Sequence, residues 1–114
     1  MVAKKPYVPA RGDVVWVSFN PTRGHEQRGR RPALIISPRL YNAASGLALA
    51  CPITSQIKGY PFEVKVTIHK KQSVVLVDQV RSIDWAERKT EKILAAPARV
   101  VRETQEYLKS LLFE

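Results

Sequence analysis

The sequence contains a single cysteine, few acidic residues and no long apolar run. With Cys51 alone, no disulfide can form within the chain, and no cysteine-based metal site can be assembled. Cys51 lies in an apolar stretch, so we expect a buried, unreactive thiol. That stretch, residues 47–53, is far shorter than the ~20 residues that span a bilayer, and the basic start of the chain lacks the apolar segment of a signal peptide. These absences predict a cytoplasmic protein with no membrane partner.

The length and composition are those of one small globular domain. The chain has 114 residues, of which 45% are hydrophobic and 25% are charged. Because domains usually contain about 100 to 200 residues, we expect residues 1–114 to form a single domain.

Basic residues outnumber acidic ones by 19 to 10, which gives a net charge of +9. The excess is uneven along the chain: residues 1–40 carry a net +6, residues 41–80 a net +2 and residues 81–114 a net +1. A localised basic excess is typical of proteins that bind nucleic acids, since cationic side chains release counterions from phosphates. An anionic membrane surface or an acidic protein segment has the same charge complementarity.

Most of the chain has the pattern of short β-strands. Residues 62–68 alternate between apolar and polar side chains, which is the period of a strand with one solvated face. The other candidates are short apolar runs rich in β-branched residues and bounded by glycine, proline or turn residues. The predicted strands are residues 14–19, 33–37, 47–54, 62–68, 74–77 and 80–83.

The last part of the chain has helical periodicity. Its apolar positions recur at a spacing of three to four residues, and Pro97 suits the first turn. The predicted stripe contains Val100, Val101, Thr104, Tyr107, Leu108, Leu111 and Leu112, and we expect it to pack on the core. The predicted fold is therefore α+β and mainly β: a small antiparallel barrel with a C-terminal helix.

The segment between the first two predicted strands is strongly basic. Residues 22–32 contain four arginines together with Glu26 and His25. Arg31 precedes Pro32, which restricts it to an extended conformation. This composition suits phosphate binding, and it also suits a solvated hairpin tip.

Six segments of the chain resemble the MazF/PemK-type toxin endoribonucleases of bacterial toxin–antitoxin pairs, in the order and spacing of that family. The segments are residues 12–17 (GDVVWV), 21–27 (PTRGHEQ), 31–37 (RPALIIS), 51–56 (CPITSQ), 59–64 (GYPFEV) and 78–83 (DQVRSI). The resemblance implies an SH3-like barrel of the CcdB/PemK type that forms a homodimer. It also implies cleavage of single-stranded RNA at short sequences without a metal or other cofactor, and neutralisation by a cognate acidic antitoxin.

The resemblance assigns catalytic roles to Arg31, Thr54 and Glu26. An arginine stabilises the charge that develops on a phosphate, but a guanidinium holds its proton too firmly to act as a good base. A threonine hydroxyl can donate to a non-bridging oxygen, as in an oxyanion hole. Two roles suit Glu26: it accepts the proton of the 2′-hydroxyl, or it holds an arginine in place.

The positions that we predict to bind RNA lie in the same segments. They are His25, Gln27, Arg28, Arg30, Gln56, Lys58 and Gln79. His25 replaces a small residue of related sequences, and we predict a stacking or surface role for it, with general acid–base catalysis as the alternative. Outside this set, we expect His69 to be exposed in a turn, and Trp16 and Trp85 to be structural, although an aromatic side chain at the rim of a site can stack a base.

Two other functions remain open. One is a gyrase-poison toxin of the same fold, whose active residues would lie at the extreme C-terminus. The other is an RNA-binding barrel without catalytic activity, which the combination of Arg31 and Thr54 argues against.

Overall fold

The computed structural model describes residues 7–19 and 29–113, which form seven β-strands, two α-helices and one 3₁₀ turn. The strands are β1 (Asp13–Ser18), β2 (Arg30–Ile35), β3 (Leu47–Thr54), β4 (Glu63–Ile68), β5 (Lys71–Leu76), β6 (Arg81–Asp84) and β7 (Glu91–Ala95). The helices are α1 (Arg39–Ser45) and α2 (Ala98–Phe113), and the 3₁₀ turn is Val77–Gln79.

All strand pairs are antiparallel, in the order β4-β5-β3-β2-β1-β7. The long strand β3 organises the sheet because it has two partners along one edge. Its first half, Leu47 to Ala50, pairs with β6, whereas Ile53 and Thr54 pair with β5. The strands therefore curve into a half-barrel around β3.

The sheet buries side chains on both faces, in two clusters. The larger cluster lies beneath α2 and includes Val14, Leu34, Ile53 and Val100. The smaller cluster lies on the opposite face of β1 and β2 and includes Val17 and Ala33. Neighbouring residues of β1 and β2 thus alternate between the clusters, as the pleat of a strand requires.

Helix α2 packs on β4 and on the 3₁₀ turn through the first part of its apolar stripe. Val100 and Thr104 are buried, and the Tyr107 ring meets the Phe62 ring edge-on at 5.5 Å. The stripe does not pack along its whole length: Leu112 is 69% exposed. The prediction of core packing was therefore wrong for the last turn of the helix, which extends past its contacts with the sheet.

The predicted fold, a mainly β antiparallel barrel with a C-terminal helix, is confirmed. Three elements were not predicted, namely α1, β7 and the 3₁₀ turn Val77–Gln79. Helix α1 is short and buries only Asn42, and β7 is an edge strand without fully buried side chains. No helix in the described part of the chain is long and apolar enough to span a membrane.

Candidate functional site

The end of β3 separates two cavities, which we name after one residue of each. Ile53 and Ser55 line the Trp16 cavity, whereas Thr54 and Gln56 line the Thr54 cavity. This alternation follows from the strand geometry, in which successive side chains point to opposite faces.

The Thr54 cavity has a volume of about 340 Å³ and collects four residues that were predicted from the sequence. Thr54 approaches it from the end of β3, Gln56 and Lys58 from the following loop, and Gln79 from the 3₁₀ turn. The remaining lining residues are Tyr60, Phe62, Glu63, Leu76 and Asp78. The wall therefore combines amide, hydroxyl and charged groups with two aromatic rings.

Thr54 is only 5% exposed, and its hydroxyl has a defined orientation. The Oγ1 atom accepts a hydrogen bond from the backbone N–H of Gln56 at 3.1 Å. Because Oγ1 is the acceptor in this bond, the hydroxyl proton remains available for donation to another acceptor. A buried strand residue of this kind holds a donor at a fixed position on the cavity wall.

The loop between β3 and β4 is held by the carboxylate of Glu63. Its two oxygens accept hydrogen bonds from the backbone N–H groups of Gly59, at 2.9 Å, and Lys58, at 3.3 Å. Gly59 has a φ of +75°, a conformation that glycine adopts without strain. The Lys58 ammonium lies 5.9 Å from the centre of the Tyr60 ring, which is 61% exposed. Sequence reasoning assigned no role to Tyr60 or Glu63, although both lie in one of the family-like segments.

The Trp16 cavity has a volume of about 320 Å³ and a different chemical character. Its lining includes three cationic side chains, those of Arg30, Arg31 and Lys71, together with His69. The other lining residues are Trp16, Pro32, Ile53, Ser55, Ile68 and Ser73. No carboxylate lines this cavity in the described part of the chain, whereas Glu63 and Asp78 line the Thr54 cavity.

Arg31 is the lining residue of the Trp16 cavity that stands closest in strand register to Thr54. It borders the Trp16 cavity, and the strand register places its side chain on the same face as that of Thr54. Ala33 pairs with Pro52, and Arg31 and Thr54 each lie two residues beyond this pair, towards the same end of the sheet. Both side chains therefore project from one face of the β2–β3 pair.

Arg30 is anchored to the edge strand β7. Its guanidinium forms a 2.9 Å salt bridge with Glu91 and donates to the backbone oxygen of Lys89 at 3.2 Å. The two consecutive arginines of β2 thus have different surroundings: Arg30 lies towards β7, and Arg31 lies towards the Thr54 side.

Four predicted residues, Glu26, His25, Gln27 and Arg28, lie outside the described residues. Among residues 7–19 and 29–113, no group of three or more His, Cys, Asp or Glu side chains is arranged to hold a metal ion. Cys51 is buried and, as the sequence predicts, has an unreactive environment: burial and the neighbouring Asp78 carboxylate raise its pKa from 9.0 to about 12.

The two tryptophans differ in role. Trp85 packs on the smaller cluster and donates its Nε1–H to the backbone oxygen of Asn42 at 3.0 Å, so its predicted structural role is confirmed. Trp16 is 38% exposed and lines a cavity, a position that suits the base-stacking role that the sequence left open beside the structural one. His69 is exposed in a turn, as predicted, but it also borders the Trp16 cavity.

Known proteins resemble this chain in both sequence and structure. The endoribonuclease toxin MazF of Escherichia coli is 50% identical over 92 residues, which are 80% of this chain and 83% of that protein. The endoribonuclease PemK of Escherichia coli is 32% identical over 107 residues, covering 90% of this chain and 80% of the relative.

Solved structures give the same relationship. MazF of Deinococcus radiodurans superposes with a TM-score of 0.89 and is 51% identical, covering 96% of this chain and 100% of that chain. A MazE–MazF complex from the same organism matches with a TM-score of 0.83 at 52% identity, covering 94% of this chain and 97% of that one. A family model described as the PemK-like, MazF-like toxin of type II toxin–antitoxin systems matches residues 10–112. The chain therefore belongs to the PemK-like, MazF-like toxin family.

Proposed function

We propose that this protein is a sequence-specific, metal-independent endoribonuclease toxin of the cytoplasm, which cuts single-stranded RNA. The observation that carries the proposal is the placement of Arg31 and Thr54 on one face of the β2–β3 pair, beside a cavity that gathers Gln56, Lys58 and Gln79. Relatives that share this fold and up to 50% of the matched sequence are named endoribonucleases.

In the proposed reaction, the 2′-oxygen of the RNA attacks the adjacent phosphorus and the bond to the 5′-oxygen breaks. Arg31 binds the phosphate and stabilises the negative charge of the phosphorane. It also donates a proton to the leaving 5′-oxygen. Thr54 donates its hydroxyl proton to a non-bridging oxygen. The products are a 2′,3′-cyclic phosphate and a 5′-hydroxyl.

The proton of the 2′-hydroxyl requires an acceptor, and we assign that role to Glu26, with His25 as the alternative base. A carboxylate accepts this proton readily, whereas a guanidinium offers hydrogen-bond donors and no acceptor. We assign RNA contacts to His25, Gln27, Arg28 and Arg30, in addition to the residues around the Thr54 cavity.

We further propose that the protein forms a homodimer and is inhibited by an acidic antitoxin. MazF of Deinococcus radiodurans, which has the same fold, has been crystallised in a MazE–MazF complex. A chain with a net charge of +9 and a cationic cavity is complementary to an acidic segment that folds on binding. The comparisons favour this function over a gyrase poison, since the named relatives are endoribonucleases.

The test is incubation of the purified protein with a long single-stranded RNA in EDTA, followed by mapping of the new ends. We expect discrete cuts with cyclic phosphate and 5′-hydroxyl ends. A substrate with a 2′-deoxynucleotide at the cut position should resist cleavage, because its nucleophile is missing. Intact RNA would contradict the proposal, and cleavage of the deoxy-substituted RNA would show that water is the nucleophile.

A further inference from the structure

We infer that the Trp16 cavity is a second nucleotide subsite, which binds the nucleotide adjacent to the cut phosphate. In this subsite the base stacks on Trp16, and its phosphate lies against the cationic wall that includes Lys71. The inference rests on the proposed function, since it extends the RNA path beyond Arg31 and Thr54.

The first support is the charge of the cavity. Its lining includes Arg30, Arg31 and Lys71 and no carboxylate among the described residues. Glu91 is salt-bridged to Arg30, but the lining keeps a net positive charge and so attracts an anion. The Thr54 cavity on the other side of β3 carries Lys58 against Glu63 and Asp78. The net charges of the two cavity linings therefore differ in sign, and a phosphate is favoured in the Trp16 cavity.

The second support is the exposed indole of Trp16. On β1 it pairs with Pro32, so the ring lies beyond the end of the buried cluster that contains Val14. A large aromatic ring that remains 38% exposed beside cationic side chains is the usual arrangement for stacking an unpaired base.

The third support is the turn between β4 and β5. Ile68 pairs with Lys71, so His69 and Lys70 form a two-residue turn, with φ values of 46° and 69°. Such turns usually contain asparagine or glycine, because side chains are strained in the left-handed region. Here the turn brings His69 and Lys71 to the cavity, while Lys70 does not line it.

The fourth support is continuity with the proposed catalytic residues. Arg31 borders the Trp16 cavity and shares a face with Thr54, so an RNA whose scissile phosphate lies at Arg31 has an adjacent nucleotide next to this cavity. Ile53 near the end of β3 and Ser55 just after this strand also line the cavity. One RNA strand can thus occupy both cavities by crossing the end of β3.

The chain provides matched controls for a binding test. Lys71→Gln and Lys70→Gln remove the same charge from adjacent residues, only one of which lines the cavity. Trp16→Ala removes the stacking surface, Trp16→Phe retains an aromatic face, and Phe113→Ala removes an exposed aromatic ring from α2. Circular dichroism and thermal unfolding identify any variant that does not fold.

The probe is a fluorescein-labelled, 20-nucleotide RNA with a 2′-deoxynucleotide at the mapped cut position. If no cut is found, the probe is a labelled 20-nucleotide RNA of mixed sequence. Its affinity is measured by anisotropy at several KCl concentrations. We expect Lys71→Gln to reduce the salt slope by about 0.7, the value for one phosphate contact on a single strand, and Lys70→Gln to leave it near the wild-type value. Trp16→Ala should weaken binding about 10-fold, while Trp16→Phe and Phe113→Ala should retain most of the affinity.

RNAs shortened one nucleotide at a time from each end give an independent test. The effect of Trp16→Ala should disappear when the nucleotide that occupies the subsite is removed, and only for truncation from one end. Equal effects of the two lysine variants, or unchanged affinity of Trp16→Ala, would overturn the subsite. A change in oligomeric mass in Trp16→Ala would show that the indole contacts a protein, which also contradicts the inference. Failure of the wild-type protein to cut RNA would contradict the proposed function, while the anisotropy comparison would still decide the subsite.

Discussion

Arg30 and Arg31 are consecutive arginines whose surroundings assign them different tasks. Arg30 is paired with Glu91 of the edge strand, and Arg31 projects from the face that carries Thr54. The sequence identified both residues, and it identified Arg31 as special because Pro32 follows it and because of the family resemblance. It gave no sign of the pairing with Glu91, since that contact joins residues 61 positions apart.

The two arginines, Arg30 and Arg31, allow a prediction that separates RNA binding from the cleavage step. Arg31→Ala should reduce the cleavage rate by ~10²-fold or more, because the phosphorane loses its stabilising charge, while RNA affinity falls by only a modest factor. Arg30→Ala serves as the control and should change affinity more than the rate constant. Single-turnover kinetics at saturating enzyme measure the rate, and anisotropy measures the affinity. An Arg31→Ala protein that cuts at the wild-type rate would remove this residue from the mechanism.

Cys51 makes folding stability depend on alkaline pH. Its pKa is raised from 9.0 to about 12 in the fold, so the folded protein keeps the thiol proton at a pH at which the unfolded chain has lost it. The stability that this proton supplies is complete below the unfolded value and is lost progressively as the pH rises towards 12.

Urea unfolding between pH 8 and pH 11 tests this effect. The free energy of unfolding should fall less steeply in Cys51→Ala than in the wild type, by up to about 1.4 kcal/mol per pH unit. The pKa of Tyr7 is also raised, by burial and then by its hydrogen bond to Asp13, but this contribution is common to both proteins. Parallel pH profiles would show that the thiol ionises at its ordinary pKa.

At the scale of the elements, the periodicity of apolar residues predicted the strands and the helix that bury one face in the core. The strands that alternate or that bury a continuous apolar run were found, and so was α2, because each element must bury one face. Helix α1 buries a single residue, and β7 has only half-buried apolar side chains, so neither leaves a periodic pattern. Both are held in place by their neighbours. The division of β3 between β5 and β6 was equally hidden, since strand pairing between distant segments leaves no local pattern.

The packing of α2 yields a prediction with an internal control. Val100 is fully buried in the larger cluster, whereas Leu112 lies on the exposed last turn. Val100→Ala should lower the free energy of unfolding by about 1–3 kcal/mol, because it leaves a cavity in the core, and Leu112→Ala should change it by less than about 0.5 kcal/mol. Urea titrations of both variants measure the difference. Equal losses would mean that the last turn is covered in solution.

At the scale of the whole molecule, a group of exposed apolar side chains supports the proposed dimer. Leu40 and Tyr41 of α1, and Leu47 and Leu49 of β3, are all exposed in the single chain. Because a soluble protein gains stability by burying such groups, we expect a species of twice the 12.9 kDa chain mass by light scattering at micromolar concentration. A monomer at every concentration tested would contradict the dimer while leaving the fold assignment intact.

The alternation of residues between the two cavities at the end of β3 also limits which sequence changes homologues can tolerate. From Ile53 to Gln56, successive residues line alternate cavities, so deletion of one residue between Leu47 and Ile53 would bring Ser55 to the place of Thr54. Homologues should therefore tolerate substitutions in this strand but almost no change in its length. Insertions should instead accumulate in the turn at His69 and Lys70, where an added residue alters one cavity wall and leaves the pairing of β3 unchanged.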